Sequence, residues 1–544
     1  MNKVKLINSE SFTENTEKTA PSPESIRVAK PVRNAKVFAG VTFISRILGL
    51  VRDATAASFF GISMIWDAFV IAYILPNLFR RLFGEGSLSA ALIPSYSDKK
   101  EKEGRDAANK IFSVTLTYSI LIMTVITVLI ILFVWIIPAD SLANLLNSTA
   151  DNAHLLKTLI PILIPFLILI CTSAIFNGVL NVHGRFAVPA AVPVFQNIFW
   201  IAALFVGAYI LDYDDTQLIE FMSVGIIGGV VFGLIIQIYQ LRKVHVKFRF
   251  SFKMRESGAS EVFKKMLPMI VSLGVLQLNV LLDNLIAEIF VDGSGAVSSL
   301  YYGNRLLQFP LALIGVALGV AVFPLLSKLA ARNDKVGLAK NASKIFGVSL
   351  FLAIPAATGL ILLSEEIVKL LFMRNEFDIV AVERTSRIVM FYAGGLFAVI
   401  LMQVVTRVFY SISDTKTPSY IAASTVLINF ILNLILVHTP LKEAGLALAT
   451  SIVSIINVFV LMMILRKRLD IDFKFIINSF RTLAIAAVMG VCLYFYVKIT
   501  ENISSSGFFT LCVQVFGGML VSGIVYGVLS RYFNKTEFRN FLRG

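Results

Sequence analysis

Histidine, cysteine and charge are all scarce in this chain. Its 544 residues include 4 His, 3 Cys and 3 Trp, and only 15% are charged. The four histidines (His154, His183, His245 and His438) are scattered and make no HExxH-type cluster, so a bound catalytic metal is not expected. Cys171, Cys492 and Cys512 each sit in an apolar run without CxxC spacing, which points to packing and away from disulfides or metal ligation. A soluble protein carries about 25% charged residues. Here 57% of residues are hydrophobic and the mean hydropathy is +0.80. Too little polar surface remains to cover a water-soluble globule of this length. A soluble enzyme, a disulfide-rich secreted module and a disordered regulator are excluded. What is abundant is phenylalanine, at 44 residues, and positive charge, at a net +15. In so apolar a chain that excess reports basic loops on the cytoplasmic side of a membrane, not a nucleic-acid partner.

A membrane-crossing helix needs about 20 mostly apolar residues. Residues 1–34 are polar, lack the apolar stretch of a signal peptide, and read as a disordered cytoplasmic tail. Fourteen candidate spans follow, near 35–60, 65–90, 109–137, 155–181, 187–211, 216–241, 262–291, 297–330, 338–363, 385–411, 418–438, 443–465, 475–498 and 507–531. The first two are the least apolar. Alternate loops are basic: Lys99, Lys100, Lys102 and Arg105; Arg242 to Arg255; Arg466 to Arg468; and Arg531, Lys535 and Arg539. The others carry Asp140 and Asp151, then Asp212, Asp214 and Asp215, then Asp292. This alternation places both termini in the cytoplasm. The segment 364–384 is mixed in sign and uninformative.

The chain also repeats itself. Pro76 to Pro310 is 234 positions, and so is Lys110 to Lys344, within Lys110-Ile111-Phe112 and Lys344-Ile345-Phe346. The inner prolines, Pro94 and Pro324, slip by four residues, about one helical turn. The eighth span therefore repeats the second, six spans later. Six-span duplication is a transporter signature, with the substrate path between the halves. The expected organisation is a lobe at 35–241, a second at 262–465, an appended pair of spans at 475–531 and a cytoplasmic tail at 532–544.

Charge inside the first two spans is the sharpest signal. One reads SRILGLVRD at 45–53. The other carries Asp67 and then PNLFRRLFGEG at 76–86. An ionised group at mid-helix costs about 2.5–3.5 kcal/mol to insert. So many of them must line a wet cavity or pair with one another. Arg46 and Asp53, seven apart, share a face, and Arg81 and Glu85, four apart, are placed to pair. Arg305 lies mid-helix in the other half. Convergence of Arg46, Arg52 and Arg305 would make a cationic cavity, and the planar guanidinium fork suits phosphate oxygens. In the second half Asp283, Asn429, Asn433 and Thr450 lie within spans. They are read either as interhelical hydrogen bonds or as oxygen ligands for Na⁺ or a proton.

These stretches resemble the MurJ (MviN) family of lipid II flippases, within the multidrug/oligosaccharidyl-lipid/polysaccharide exporter superfamily. The similarity is carried by SRILGLVRD at 45–53, FFG at 59–61, DAF at 67–69, PNLFRRLFGEGSLSAALIP at 76–94, YYGNRLLQFP at 301–310 and, more weakly, FYSISDTKTP at 409–418. It covers residues from about 35 to the end.

The resemblance implies an all-α integral membrane protein of fourteen transmembrane helices. Two pseudo-symmetric six-helix lobes would surround a central cavity, and two C-terminal helices would form a groove for the polyprenyl tail. It implies export of the undecaprenyl-diphosphate-linked peptidoglycan precursor, lipid II, across the bacterial inner membrane, by a monomer that is not an enzyme and binds no nucleic acid. The family's substrate-binding arginines fall on Arg46, Arg52, Arg80 and Arg305, and its acidic partners on Asp53, Asp67 and Glu85. Its sodium site falls near Asp283, Asn429, Asn433 and Thr450. Relatives often carry an acid where this chain has Asn304, some carry Glu at Gln308, and sodium-binding relatives carry a carboxylate at Asn433, departures that bear on ion coupling more than on substrate. No cofactor is implied beyond Na⁺ or H⁺ coupling. Two other classes remain open on the residues alone: an exporter of another polyprenyl-linked saccharide or of drugs, and a membrane enzyme acting on polyprenyl diphosphates. A third is a non-transporting scaffold that keeps the fold.

Overall fold

The computed structural model describes residues 23–503 and 507–543, with side chains from residue 40 onward except at 84–87, 89, 90, 268, 271–273, 275, 276, 502, 503 and 543. Every regular element among the described residues is helical. The first half comprises α1 (Pro23–Phe60), α2 (Met64–Phe79), α3 (Leu88–Lys102), α4 (Arg105–Ile136), α5 (Ala139–Leu146), α6 (Ala150–Leu163), α7 (Phe166–Val182), α8 (Ala187–Tyr209), α9 (Asp215–Lys243) and α10 (Met254–Ser257). The second comprises α11 (Ala259–Phe290), α12 (Ala296–Pro310), α13 (Ala317–Ala331), α14 (Lys335–Leu362), α15 (Ser364–Phe372), α16 (Ile379–Ser411), α17 (Lys416–Val437) and α18 (Glu443–Leu469). After these come α19 (Lys474–Ile503), α20 (Phe508–Cys512), α21 (Gly518–Phe533) and α22 (Lys535–Arg543).

Eleven helical segments among the described residues are long and apolar enough to cross a membrane. Three further long segments, α1, α2 running on into α3, and α11, stand where the first, second and seventh spans are expected. Lysine and arginine close the last turns of α3, α9, α18 and α21, where they also complement the helix dipoles.

The internal repeat has a structural counterpart. Pro76 lies inside α2, and the chain then widens into a π-helical stretch at Arg80–Ser87 before α3. Pro310 closes α12 and is followed by a π-helical stretch at Leu311–Val316 before α13. A proline removes one backbone donor and crowds the preceding turn, so wider winding beside it is the expected response. The four-residue slip of the repeat falls between the paired prolines, the interval that holds these stretches.

Helices α1–α9 pack among themselves, as do α12–α18, while α19 and α21 pack on each other and on α14. We call residues 40–243 the N-lobe and 259–469 the C-lobe. Between α8 and α9 the approach is set by small residues. A Cβ on Gly225 would stand 2.5 Å from Ala203 Cβ, and one on Gly229 2.8 Å from Gln196 Cα. Large apolar side chains face outward along the helices, with Trp135, Tyr209 and Tyr532 exposed near helix ends. That is the pattern of a lipid-facing surface with aromatic edges.

Two terminal expectations need correction. Helix α1 begins at Pro23, inside the stretch expected to be a disordered tail; residues 1–22 lie outside the described residues. At the other end, 532–544 is not a simple tail. Helix α22 folds back, with Glu537 buried and accepting a hydrogen bond from Asn478 Nδ2 at 3.0 Å. Asn534 Nδ2 donates to Thr482 Oγ1 at 2.9 Å. Phe538 packs beside Phe351 and Tyr526. A short amphipathic helix with one polar anchor offers little hydropathy signal, which is why sequence reading passes over it.

Candidate functional site

Helix α1 carries Arg52 and Asp53, and the two lobes meet at Asp53. Its Oδ1 accepts from Arg52 Nε at 3.0 Å, from Arg52 Nη2 at 2.6 Å and from the Tyr301 hydroxyl at 2.9 Å. Its Oδ2 lies 3.2 Å from Arg305 Nε. Tyr301 and Arg305 are four apart on α12, one turn, so they present together to α1. Arg305 Nη2 donates to the Tyr301 hydroxyl at 3.0 Å. Helix α8 braces the other side. Arg52 Nη1 donates to Asn197 Oδ1 at 3.0 Å, and its guanidinium stacks 4.3 Å over the Trp200 ring. Asn197 Nδ2 in turn holds the Ser45 carbonyl of α1 at 3.1 Å.

Among the described residues the charge count of this cluster is unequal: two guanidiniums share one carboxylate. The Asp53 side chain is 4% exposed and that of Arg52 10%, whereas that of Arg305 is 28% exposed. A buried net positive charge is costly unless an anion joins it. Arg305 is the member with an accessible edge.

A second set of inter-lobe bonds closes the helix ends beyond this cluster. Asp67, in the first turn of α2, accepts from Gly295 N at 2.5 Å, Ser298 N at 2.7 Å and Ser298 Oγ at 2.5 Å. Gly295 is the N-cap of α12 and supplies no side chain, and α12 has no acid in its own first turn. Asp67 thus caps a helix of the opposite lobe, supplying the negative group that a helix N-terminus favours. Nearby, Glu288 of α11 accepts from Asn152 of α6 at 2.7 Å, and Asn375 Nδ2 donates to Ser58 Oγ at 2.9 Å. Aromatic rings fill the seam between: Trp66 of α2 stacks on Tyr302 of α12, ring centroids 6.1 Å apart and nearly parallel at 7°.

A third polar cluster lies within the C-lobe. Asn433 Nδ2 donates to Asp283 Oδ1 at 2.6 Å and to Asn429 Oδ1 at 2.8 Å, and Asn429 Nδ2 reaches Thr450 Oγ1 at 3.4 Å. Asp283, Asn429 and Asn433 are buried. Asn433 Oδ1 is buried with no hydrogen-bond partner among the described residues.

The sequence profile of the family described as "Lipid II flippase MurJ" matches residues 56–514. The chain belongs to the MurJ family. The "Probable lipid II flippase MurJ" of Rickettsia prowazekii is 33% identical over 432 residues, covering 78% of this chain and 82% of that protein. The Burkholderia cenocepacia "Lipid II flippase MurJ" is 31% identical, covering 79% and 82%. Among solved structures, "Lipid II flippase MurJ, inward closed conformation" superposes with a TM-score of 0.75 at 28% identity, covering 91% of this chain and 98% of that one. An inward-facing multidrug transporter of the MATE family superposes at 0.66 with 15% identity, over 80% of this chain and 98% of that one, a likeness of fold.

Of the arginines the MurJ resemblance singles out, Arg52 and Arg305 come together and Arg46 and Arg80 do not join them. Arg46 is exposed on α1, and Arg80 Nε donates to Asn77 Oδ1 at 2.9 Å. Asp53 is taken by Arg52 and Arg305, and not by Arg46, its neighbour on the helix face. Arg81 Nη1 contacts Gln277 Oε1 across the lobes at 3.3 Å. The side chain of Glu85 lies outside the described residues. Sequence reading missed Tyr301, Asn197 and Trp200, which hold the arginines, and Gly295 and Ser298, which receive Asp67. Tyr301 stands one turn from Arg305 in YYGNR, the one signal that was available.

Proposed function

We propose that this protein moves lipid II, the polyprenyl-diphosphate-linked peptidoglycan precursor, from the inner to the outer leaflet of the bacterial inner membrane by alternating access. It does so as a monomer and with no bond made or broken. The observation that carries this is the inter-lobe cluster in which Arg52 and Arg305 share Asp53. A diphosphate entering beside Arg305 supplies the negative charge that the cluster lacks among the described residues. Arg46, exposed on α1, and Arg80 extend the positive lining toward the entrance. A drug exporter has no need of that unbalanced guanidinium charge, and a polyprenyl-diphosphate enzyme would need a positioned nucleophile beside it.

The basic helix ends face the cytoplasm, with both termini there. The end closed by Asp67 is then periplasmic. Release outward requires Asp67 to leave the N-terminus of α12. The membrane potential is worth about 2.3 kcal/mol per charge per 100 mV. Coupling to Na⁺ fits the C-lobe cluster, where Asp283, Asn429, Asn433 and Thr450 offer an all-oxygen donor set and Asn433 Oδ1 lacks a partner among the described residues. A bound sodium ion would neutralise Asp283.

The deciding experiment is Arg305→Ala, followed by labelling of lipid II on each leaflet after depletion of the native protein. The variant is expected in the membrane at normal amount, with outer-leaflet lipid II lost. Normal export by that variant overturns the reading.

A further inference from the structure

One half-buried ion pair lies away from the substrate cluster and touches the closed end through a single peptide bond. Arg384, near the start of α16, places Nε 2.7 Å from Glu443 Oε1. Glu443 is 6% exposed and sits in the first turn of α18. The same guanidinium donates from Nη1 to the Ser294 carbonyl at 2.7 Å. The peptide unit that begins with that carbonyl ends in the Gly295 N–H, which donates to Asp67 Oδ2 at 2.5 Å. The order in space is therefore Glu443, Arg384, Ser294 C=O, Gly295 N–H, Asp67, and it crosses from C-lobe to N-lobe at its last step.

We infer that Arg384, held by Glu443, is a positioning residue for the closed end: it fixes and polarises the Ser294–Gly295 peptide so that its N–H caps Asp67. Two physical effects act in the same direction. A cation on the carbonyl oxygen draws electron density along the amide and makes its N–H a stronger donor, the cooperativity of hydrogen-bonded chains. It also holds the loop at 292–295 rigid, so Gly295 keeps the left-handed φ of 94° that aims its N–H across the seam. Guanidinium suits the role because one rigid fork spans a carboxylate and a carbonyl together; an ammonium does not. The pair has no direct contact with Asp67, so its influence is on how firmly the lobes close, not on substrate contact.

The inference rests on the reading of Asp67 as the inter-lobe latch, and the test separates the two. Full-length protein in which Cys171, Cys492 and Cys512 are replaced by alanine is spin-labelled at Thr216 and Val380, exposed positions on either lobe near the same end. The closed-to-open ratio is read by pulsed dipolar spectroscopy in Asp67→Asn, Arg384→Gln and the double variant. Arg384→Gln is expected to lower the ratio roughly tenfold, the scale of a charge-assisted hydrogen bond. In the Asp67→Asn background it is expected to lower it no further. Arg384→Lys, which keeps the charge beside Glu443, is expected to give a smaller loss and serves if the glutamine variant does not fold.

Equal losses from Arg384→Gln with and without Asp67 overturn the inference, because Arg384 then acts by another route. No change of ratio in Asp67→Asn alone overturns the latch itself, and the inference with it.

Discussion

Replacing Gly295 by alanine tests the closed seam at its tightest point. An added Cβ would stand 2.5 Å from the Ile62 carbonyl oxygen of the opposite lobe and 2.9 Å from Arg384 Nη1. Ordinary contact begins near 3.4 Å, so the Ile62 carbonyl must retreat by 3.4 − 2.5 = 0.9 Å. Taken as a rigid shift of the lobes, that stretches the Asp67–Gly295 bond from 2.5 Å to at most about 3.4 Å, where the shift runs along the bond, beyond the normal N–H···O range. Two costs separate cleanly. The strain of a φ of 94° on a residue with a Cβ, about 1–2 kcal/mol, falls on every state that keeps the loop. Loss of the charge-assisted bond, about 1.5–3 kcal/mol, falls on the closed state alone. Gly295→Ala should therefore lower the closed-to-open ratio by roughly ten- to a hundredfold while lowering overall stability only modestly. Reactivity of single cysteines along α2 and α12 toward an impermeant maleimide, with melting temperature as the fold control, measures both. A well-folded variant whose cysteines stay as protected as in the parent would refute the reasoning.

Two further predictions concern the ion cluster and the cytoplasmic side. Asp283→Asn should abolish any dependence of lipid II transport on Na⁺ in reconstituted vesicles where K⁺ replaces it; a variant as sodium-dependent as the parent places the ion elsewhere. Burial and the neighbouring Lys100 and Arg105 push the His183 imidazole down from 6.5 to about 4. The unfolded chain then binds more protons between those values, so stability falls as pH drops from 6.5 toward 4. His183→Gln should flatten that limb of the melting-temperature profile, and an unchanged limb assigns the proton uptake to another group.

The spans were legible because a bilayer imposes a simple demand, a long apolar helix, and α4, α9 and α16 meet it openly. Helices α1 and α2 were legible for the opposite reason, since Arg52, Asp53 and Asp67 have no place in lipid and call for partners. Which partners they take was not legible. Helical spacing pairs Arg46 with Asp53, seven apart. In the fold Asp53 turns to Arg52, its sequence neighbour, and to Tyr301, 248 positions away. Asn197 and Trp200 of α8 hold the Arg52 guanidinium in place for that contact. Periodicity describes one helix at a time and carries no information about such neighbours.

Asp67 shows a different limit. Its partners are mainly backbone N–H groups, which no side-chain pattern marks. The clue was an absence: α12 opens at Gly295 with neither a capping side chain nor an acid in its first turn. A buried helix N-terminus in that condition leaves donors to be satisfied from elsewhere. Because the cap comes from the other lobe, α12 is complete only while the lobes touch, and on opening water must take the place of Asp67. The closed end therefore holds through a bond that water can replace, and this lets one helix terminus serve two conformations.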